Sequence, residues 1–566
     1  MNKAEYRKKY NYLILLCLFI FFGFNGNIPP MGLDESMYMT AAFEMNESGD
    51  YLVPSYNGEH FFDKPPLAYW LEAGSFSFFD FFFQGKRLSD ANQKFIPFDG
   101  KLFAMRFPIS FIALLFVVTI CIVSKKLFSM RASIYAGYAF AFCLLTAALG
   151  KMAIIDMILS FFIFLSLIIF ILTYTNRLKK SYIIIAFISL SLAIMAKGPI
   201  ALGIVGFPVL AFLIYRKNLK FMFDRHTLLG FLLFLCLALP WFFICQINSG
   251  GTFFHEFFIH QNVQRALGQD FDHNYSPFFY LGIIFIGMAP WSMYLIPAVI
   301  SNFKKRNSNN LITEQFLCFW IISVFLMFTC INSKLPGYIF PIFAPAALII
   351  GKYLENIKFN KTNKIMTISA TFLSVILGIG FIIVPYTLSF QSVYVKIIFA
   401  VMGGWFIYFA IKSLKDYMKK RNPAEALGIQ MAGFLVLFVI AMPIFALNSN
   451  TLKDEMDQRS DFLGTTGYVL AKDFNLRNLP NNVTVIAFGM HPQRMNFPLL
   501  FERKVIIVNT KEELEKTLDE NEYYFLIMSK RKMKEEGVKK LHGKLIENDK
   551  YFGKKNGIFI DYNFLY

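Results

Sequence analysis

Charge is scarce in this sequence. Asp, Glu, Lys and Arg make up 17% of 566 residues, against 56% hydrophobic and 18% aromatic. A soluble chain of this length cannot keep so much apolar surface from water, so a soluble enzyme is excluded and an integral membrane protein is expected. Cysteine is scarce as well. All seven (Cys17, Cys121, Cys143, Cys236, Cys245, Cys318, Cys330) lie in apolar segments, which excludes a disulfide framework and a Cys-based metal site. Lys3, Arg7, Lys8 and Lys9 precede an apolar run at 10–24, but no small-x-small cleavage site follows, so the run is expected to be a first span rather than a leader. Acidic residues are too few to balance the basic ones, and the formal charge is +18. No nucleic-acid partner is read from that excess, because the basic residues sit in short loops between apolar runs.

What is present is a succession of apolar runs. They lie near 10–24, 102–123, 131–149, 153–175, 181–196, 199–215, 227–246, 278–300, 313–331, 337–352, 364–387, 393–413 and 427–447. Each is long enough to cross a bilayer, giving about thirteen spans. With the N-terminus in the cytoplasm, the inner loops hold Lys125, Lys126 and Arg131; Arg177, Lys179 and Lys180; Arg216, Lys217 and Lys220; Lys304, Lys305 and Arg306; Lys358, Lys361 and Lys364; and Lys415, Lys419, Lys420 and Arg421. The positive-inside rule holds at every one of these turns. The opposite loops, above all 25–101 and 247–277, lack basic clusters and hold most of the unusual polar residues. The expected fold is an α-helical multi-pass membrane protein over 1–447. A small α/β domain follows over 448–566, on the outer side. Short strands are expected in it at 482–489, 504–509 and 523–529, with an amphipathic helix at 511–520. No phosphate loop or paired catalytic residues stand out in this tail, which reads as a structural or docking module.

The outer loops carry the chemistry. Asp34 and Glu35 open a helical stretch, with Tyr38 one turn on; Asp34 reads either as a helix cap or as a carboxylate facing a reaction. Asp63-Lys64-Pro65-Pro66 opens a second helix that is expected to lie in the interface with Trp70 at headgroup depth. Its N-terminus and Lys64 together suit a phosphate; a snorkelling lysine and a capping Asp63 are the plain alternatives. Asp156 and Lys197 are ionisable groups in apolar segments, functional or simply paired. The stretch 252–280 concentrates His255, Glu256, His260, Arg265 and His273 without a standard zinc spacing. Arg265 has the geometry to fork onto a phosphate. Lys334 and Tyr338 lie in the last outer loop of interest. Lys64, Lys197, Arg265 and Lys334 all fall on the face that otherwise lacks basic residues, which points to an anionic ligand.

These residues resemble a family. Asp34-Glu35-x-x-Tyr38, Ser48-Gly49-Asp50, Asn57-Gly58, Asp63-Lys64-Pro65-Pro66-Leu67 and Tyr69-Trp70 are similar to the first outer loop of bacterial aminoarabinose transferases. Those are polyprenyl-phosphate-dependent glycosyltransferases of the GT-C fold, related to protein O-mannosyltransferases. The resemblance runs on through Asp156, Lys197-Gly198-Pro199, the stretch from His260 to Arg265 with Pro277, and Lys334-Leu335-Pro336 with Tyr338, covering roughly 1–350. It implies inverting transfer of an amino sugar from undecaprenyl phosphate to a lipid A phosphate. The reaction is placed on the periplasmic face of the bacterial inner membrane, where it confers resistance to cationic peptides. It also implies Asp34 and Asp156 as catalytic, and Lys64, Arg265, Lys197 and Lys334 at the donor phosphate. Glu35, Tyr38 and Tyr338 are implied as substrate contacts. A divalent ion, zinc or magnesium, would fall on Asp63 and His260; no nucleotide cofactor is implied. A monomer among membrane lipids is expected. The family usually has Arg at Met37, often Tyr at Phe61, and more commonly Glu at Asp63, so an amino hexose such as galactosamine is as open as 4-amino-4-deoxy-L-arabinose. A protein O-glycosyltransferase and a lipid flippase are the alternative functions. Against the flippase, no internal repeat is visible, and the polar residues gather at span ends.

Overall fold

The computed structural model describes residues 2–28, 30, 32–83, 100–267, 275–304, 309–387, 393–448, 484–488, 505–508, 510–521, 524–529, 544–547 and 558–562. Helices dominate it. Nine helices among the described residues are long and apolar enough to cross a membrane. A tenth span forms if Phe279–Gly287 and Trp291–Ser301, bent by 110° at a short break, are taken together. The difference from thirteen has local causes. The run at 131–149 divides into Met130–Ala141 and Leu144–Leu149, with Cys143 extended between them. The run at 199–215 yields only Ile200–Tyr215, of 16 residues. The first helix, Lys3–Phe22, begins in charged sequence, which shortens its apolar part. Small residues let spans touch closely: a Cβ added at Gly351 would meet the Ala136 backbone nitrogen at 2.5 Å.

Between the first helix and residue 83, the described residues form two helices joined by a hairpin. Helix Gly32–Ser48 carries Asp34, Glu35 and Tyr38. Strands Ser55–Tyr56 and Glu59–His60 pair antiparallel around Asn57 and Gly58, whose φ values are 56° and 76°. Consecutive left-handed residues at an Asn-Gly pair are what a tight two-residue hairpin requires. The second helix starts at Leu67, later than expected, because Pro65 and Pro66 lie outside its hydrogen-bonded body; the Trp70 amide donates to the Pro66 carbonyl at 2.8 Å. Asp63 and Lys64 therefore stand just ahead of that helix rather than in its first turn. Trp70, expected at headgroup depth, donates its indole N–H to the Tyr51 carbonyl at 2.7 Å.

One buried pair fixes this loop to the spans. Arg106 in Gly100–Leu127 forks onto Glu35, Nε to Oε1 at 2.8 Å and Nη2 to Oε2 at 3.0 Å. Its remaining Nη1 hydrogens go to the Asn25 and Ile28 carbonyls, both at 2.6 Å. The Ala153 amide also donates to Glu35, at 2.8 Å. Glu35, expected among the substrate contacts, is instead fully buried in this lock. A fixed fork of donors matches a carboxylate, which is why arginine serves here.

In the tail, a five-stranded sheet has the spatial order Val505–Val508, Thr484–Phe488, Tyr524–Ser529, Ile558–Tyr562, Lys544–Glu547. The first three strands are mutually parallel, and helix Lys511–Glu520 supplies the crossover between two of them. The last two strands are antiparallel additions that the sequence reading did not contain.

Breaking the lock should be costly. Arg106→Met strands an unpaired buried carboxylate, with an expected loss of about 3–5 kcal/mol. Arg106→Met combined with Glu35→Gln should recover much of it. Thermal denaturation in detergent of the single and double variants measures both; equal losses would count against a buried ion pair as the anchor.

Candidate functional site

Asp63 sits at the centre of a group of polar residues from three segments. Its Oδ1 accepts Lys64 Nζ at 2.8 Å and Arg265 Nη1 at 3.3 Å, and its Oδ2 accepts the Tyr38 hydroxyl at 3.2 Å. Three separate segments meet at this carboxylate: helix Gly32–Ser48, the Pro-Pro approach to Leu67–Phe83, and the end of His255–Gln264. Burial alone would raise the Asp63 pKa, but the positive charges of Lys64 and Arg265 outweigh it and hold the value below the ordinary carboxylate range. Burial pushes Lys64 the other way, downward, helped by the Arg265 charge and opposed by Asp63. A cation held in that state gains most from a further anion.

The stretch expected as a loop at 247–277 forms a wide-turn π-helix, His255–Gln264, running into Arg265–Leu267. Such turns gather at functional sites. Here the register places Gln261 where its side-chain oxygen accepts Arg265 Nη1 at 3.3 Å. His273 and the rest of 268–274 lie outside the described residues.

A second pair stands beside the first. Lys197 Nζ meets Asp156 Oδ1 at 2.5 Å and lies 4.3 Å from the centre of the Tyr338 ring. Asp156 begins Ile155–Tyr174, and Lys197 ends Ile183–Lys197, so both are presented at the same end of adjacent spans. Gly198 follows with φ 83°, and a Cβ there would strike Phe257 at 2.8 Å. A Cβ at Gly337 would meet the Asp156 carboxyl carbon, also at 2.8 Å. Glycine at 337 is thus a condition for the Asp156 position.

Between these pairs lies a cavity with about 640 Å³ of empty space, part of it open to solvent. Its charged lining is Lys64, Lys197, Arg265 and Asp63. Its apolar lining is Leu159, Ile200, Ile204, Phe328 and Ile331, and Tyr338 lines it as well. Gln261, Asn262 and Ser333 complete the lining. The sequence reading missed these three. For Gln261 a signal existed, since it lies one turn before Arg265; neutral Asn262 and Ser333 give none.

Asp34 faces the same group. Solvent reaches its side chain. Even so, protein around the carboxyl excludes enough water to raise its pKa, with the Asp63 charge the next cause. The Lys64 and Arg265 charges oppose the rise.

Lys334 and the implied divalent ion meet surroundings different from those expected. Lys334, expected at the donor phosphate, is buried and donates to the Ile331 and Asn332 carbonyls at the end of helix Asn309–Cys330. It satisfies orphan carbonyls there and does not line the cavity. The residues also do not fit the implied divalent ion. Among the described residues no group of three or more His, Cys, Asp or Glu could hold a metal. Asp63 is already flanked by two cations, and His260 Nδ1 lies 2.8 Å from Glu256.

The family model described as dolichyl-phosphate-mannose-protein mannosyltransferase matches residues 34–251. The undecaprenyl phosphate-alpha-4-amino-4-deoxy-L-arabinose arabinosyl transferase of Yersinia enterocolitica is 27% identical over 327 residues, 56% of this chain and 54% of that one. Over that part the chain is similar to these transferases. A second relative of the same description, from Wigglesworthia glossinidia brevipalpis, is 29% identical over 60% of this chain and 57% of its own. The chain spans about half the length of the curated relatives it matches. The crystal structure of ArnT from Cupriavidus metallidurans bound to undecaprenyl phosphate shares the fold, with a TM-score of 0.74 over 97% of both chains at 17% identity.

Gly337→Ala tests the close approach at Asp156. The added methyl should displace the carboxylate from Lys197 and lower activity about tenfold or more, with little change in thermal stability. Wild-type activity in Gly337→Ala would remove the Asp156–Lys197 pair from the site.

Proposed function

We propose that this protein is a glycosyltransferase that moves an amino sugar from undecaprenyl phosphate to a lipid A phosphate at the periplasmic face of the inner membrane. One observation carries the reading: a single cavity is lined by three cations and by apolar side chains. Lys64, Lys197 and Arg265 line it together with Leu159, Ile200, Ile204, Phe328 and Ile331. A phosphate carried on a prenyl chain combines the same two characters. The relatives' names suggest the sugar, 4-amino-4-deoxy-L-arabinose, and the donor lipid.

The charges follow the reaction. Three cations facing Asp63 and Asp156 leave one positive charge before Asp34 is counted. A sugar-phosphate lipid is a diester with one negative charge. When an acceptor oxygen attacks the anomeric carbon, with inversion, the carbon–oxygen bond to phosphate breaks. The departing monoester then gathers a second negative charge. Lys64 and Arg265, held in place beforehand by Asp63, are aimed where that charge develops. Lys197, paired with Asp156 and backed by the Tyr338 ring, adds its charge to the same group. Asp34 lies on the sugar side of this group. Ionised, it orients the acceptor and steadies positive charge at the anomeric carbon; for a hydroxyl acceptor it would serve as general base.

Asp34→Asn and Lys64→Ala should each abolish transfer while leaving the protein folded. Mass spectrometry of lipid A from a deletion strain carrying each variant is the measurement. Normal lipid A modification by both would refute the site. The same spectra name the sugar, and glycosylated exported proteins with unmodified lipid A would redirect the acceptor to protein. The wild-type rate should also fall on acidification, because only ionised Asp34 works. Since its pKa is raised from 3.8, that limb should lie above the ordinary carboxylate position. A limb at or below 3.8 would exclude Asp34 as the group titrating.

A further inference from the structure

The tail reaches back to the loop that carries the site. Val505 opens the edge strand Val505–Val508. Its carbonyl accepts Asn57 Nδ2 at 2.8 Å, and its amide donates to Asn57 Oδ1 at 2.9 Å. A side-chain amide offers one donor and one acceptor, as a backbone peptide does. Asn57 thus takes the place of a neighbouring strand on an edge that would otherwise be open.

The turn that presents Asn57 is itself held from behind. Glu44, on the same helix as Asp34 and Tyr38, accepts the Asn57 amide at 2.5 Å, the Gly58 amide at 3.1 Å and the Ser55 hydroxyl at 2.7 Å. The hairpin's second strand, Glu59–His60, runs directly into Phe61, Phe62, Asp63 and Lys64. The Phe61 amide donates to the Pro54 carbonyl at 2.8 Å, closing the hairpin's base. Phe62 then packs against Phe253, ahead of the π-helix that leads to Arg265, with ring centres 5.3 Å apart. A continuous path therefore joins the tail's edge strand to the two residues that share Asp63.

We infer that the C-terminal sheet is a positioning element for the donor-phosphate group. Docked on the Asn57 side chain, it holds the hairpin and so keeps Asp63 and Lys64 in register beneath it. Asn57 is a positioning residue, since it acts through the hairpin and touches no substrate. The inference rests on the donor-site reading for its catalytic consequence, but the mechanical coupling stands apart from that reading.

Asn57→Gly is the decisive variant. Glycine accepts φ 56° without cost and keeps the turn, while both bonds to Val505 are lost. Asn57→Asp keeps an acceptor for the Val505 amide and loses the donor. Hydrogen–deuterium exchange on the full-length protein should show faster exchange in peptides covering 505–508 and also 59–64, by about tenfold for Asn57→Gly and less for Asn57→Asp. Binding of undecaprenyl phosphate to Asn57→Gly should weaken by about the same factor at unchanged melting temperature. Faster exchange at 505–508 with 59–64 unaffected would overturn the coupling, and unchanged exchange at both would overturn the docking. A wild-type protein that binds no undecaprenyl phosphate would instead defeat the donor-site reading, and the exchange data would still decide the coupling.

Discussion

Everything at the candidate site turns on one shared carboxylate. Lys64 and Arg265 come from segments about two hundred residues apart, and both are positive and poorly hydrated. Left alone, they would repel one another and lose the solvation that stabilises charge. Asp63 lies between them with one oxygen to both, 2.8 Å from one and 3.3 Å from the other. Its second oxygen is occupied by Tyr38. The carboxylate therefore does more than neutralise. It fixes the separation and direction of two cations before any ligand arrives, and electrostatic catalysis depends on that preorganisation.

That arrangement needs a rigid support, and the support comes from pairs that take no part in chemistry. Glu35 sits next to Asp34 in the chain, yet it turns inward to Arg106 and is wholly removed from solvent. Neighbouring acids on one helix point to opposite tasks: one anchors the helix to a span, the other meets the solvent-accessible site. Glu72, on the following helix, is also fully buried, and among the described residues neither of its carboxyl oxygens has a hydrogen-bond partner. Burial, with the negative Glu35 as a lesser cause, raises its pKa well above the ordinary range. The neutral acid is thus the form that the fold favours, and stability should fall as pH rises from the ordinary carboxylate value toward the raised one.

Much of this was legible in the sequence, for reasons that can be named. Membrane spans announce themselves because hydrocarbon demands long apolar runs and loop charge follows topology. Lys64, Lys197 and Arg265 were legible because each stands against that topological bias. The structure does bring these three to one cavity. Lys334 has the same sequence signal, but the helix end beside it has unsatisfied carbonyls, and a lysine four residues beyond Cys330 can reach them. Sequence spacing does not distinguish a cation aimed at a ligand from one aimed at its own backbone. The break at Cys143 and the π-helix at His255–Gln264 were invisible for a related reason. Both are changes of backbone register imposed by packing, and no local residue pattern marks them.

The contrast between the two ion pairs gives the site its direction. Lys197 and Asp156 are matched one to one, at the ends of two spans that pack along their length. Lys64 and Arg265 both donate to one oxygen of Asp63. An incoming phosphate would add its charge to that second group, which holds two cations around a shared carboxylate. Asp34, whose charge is disfavoured by burial and by Asp63, lies beside the same group. A phosphate bound there would place another negative charge near Asp34 and raise its pKa further, unless positive charge appears at the same moment. In the proposed transfer it would, at the anomeric carbon, as the bond to phosphate lengthens. Ionised Asp34 would then be least stable with the intact donor and most stabilised in the transition state, the kind of differential binding that accelerates a reaction.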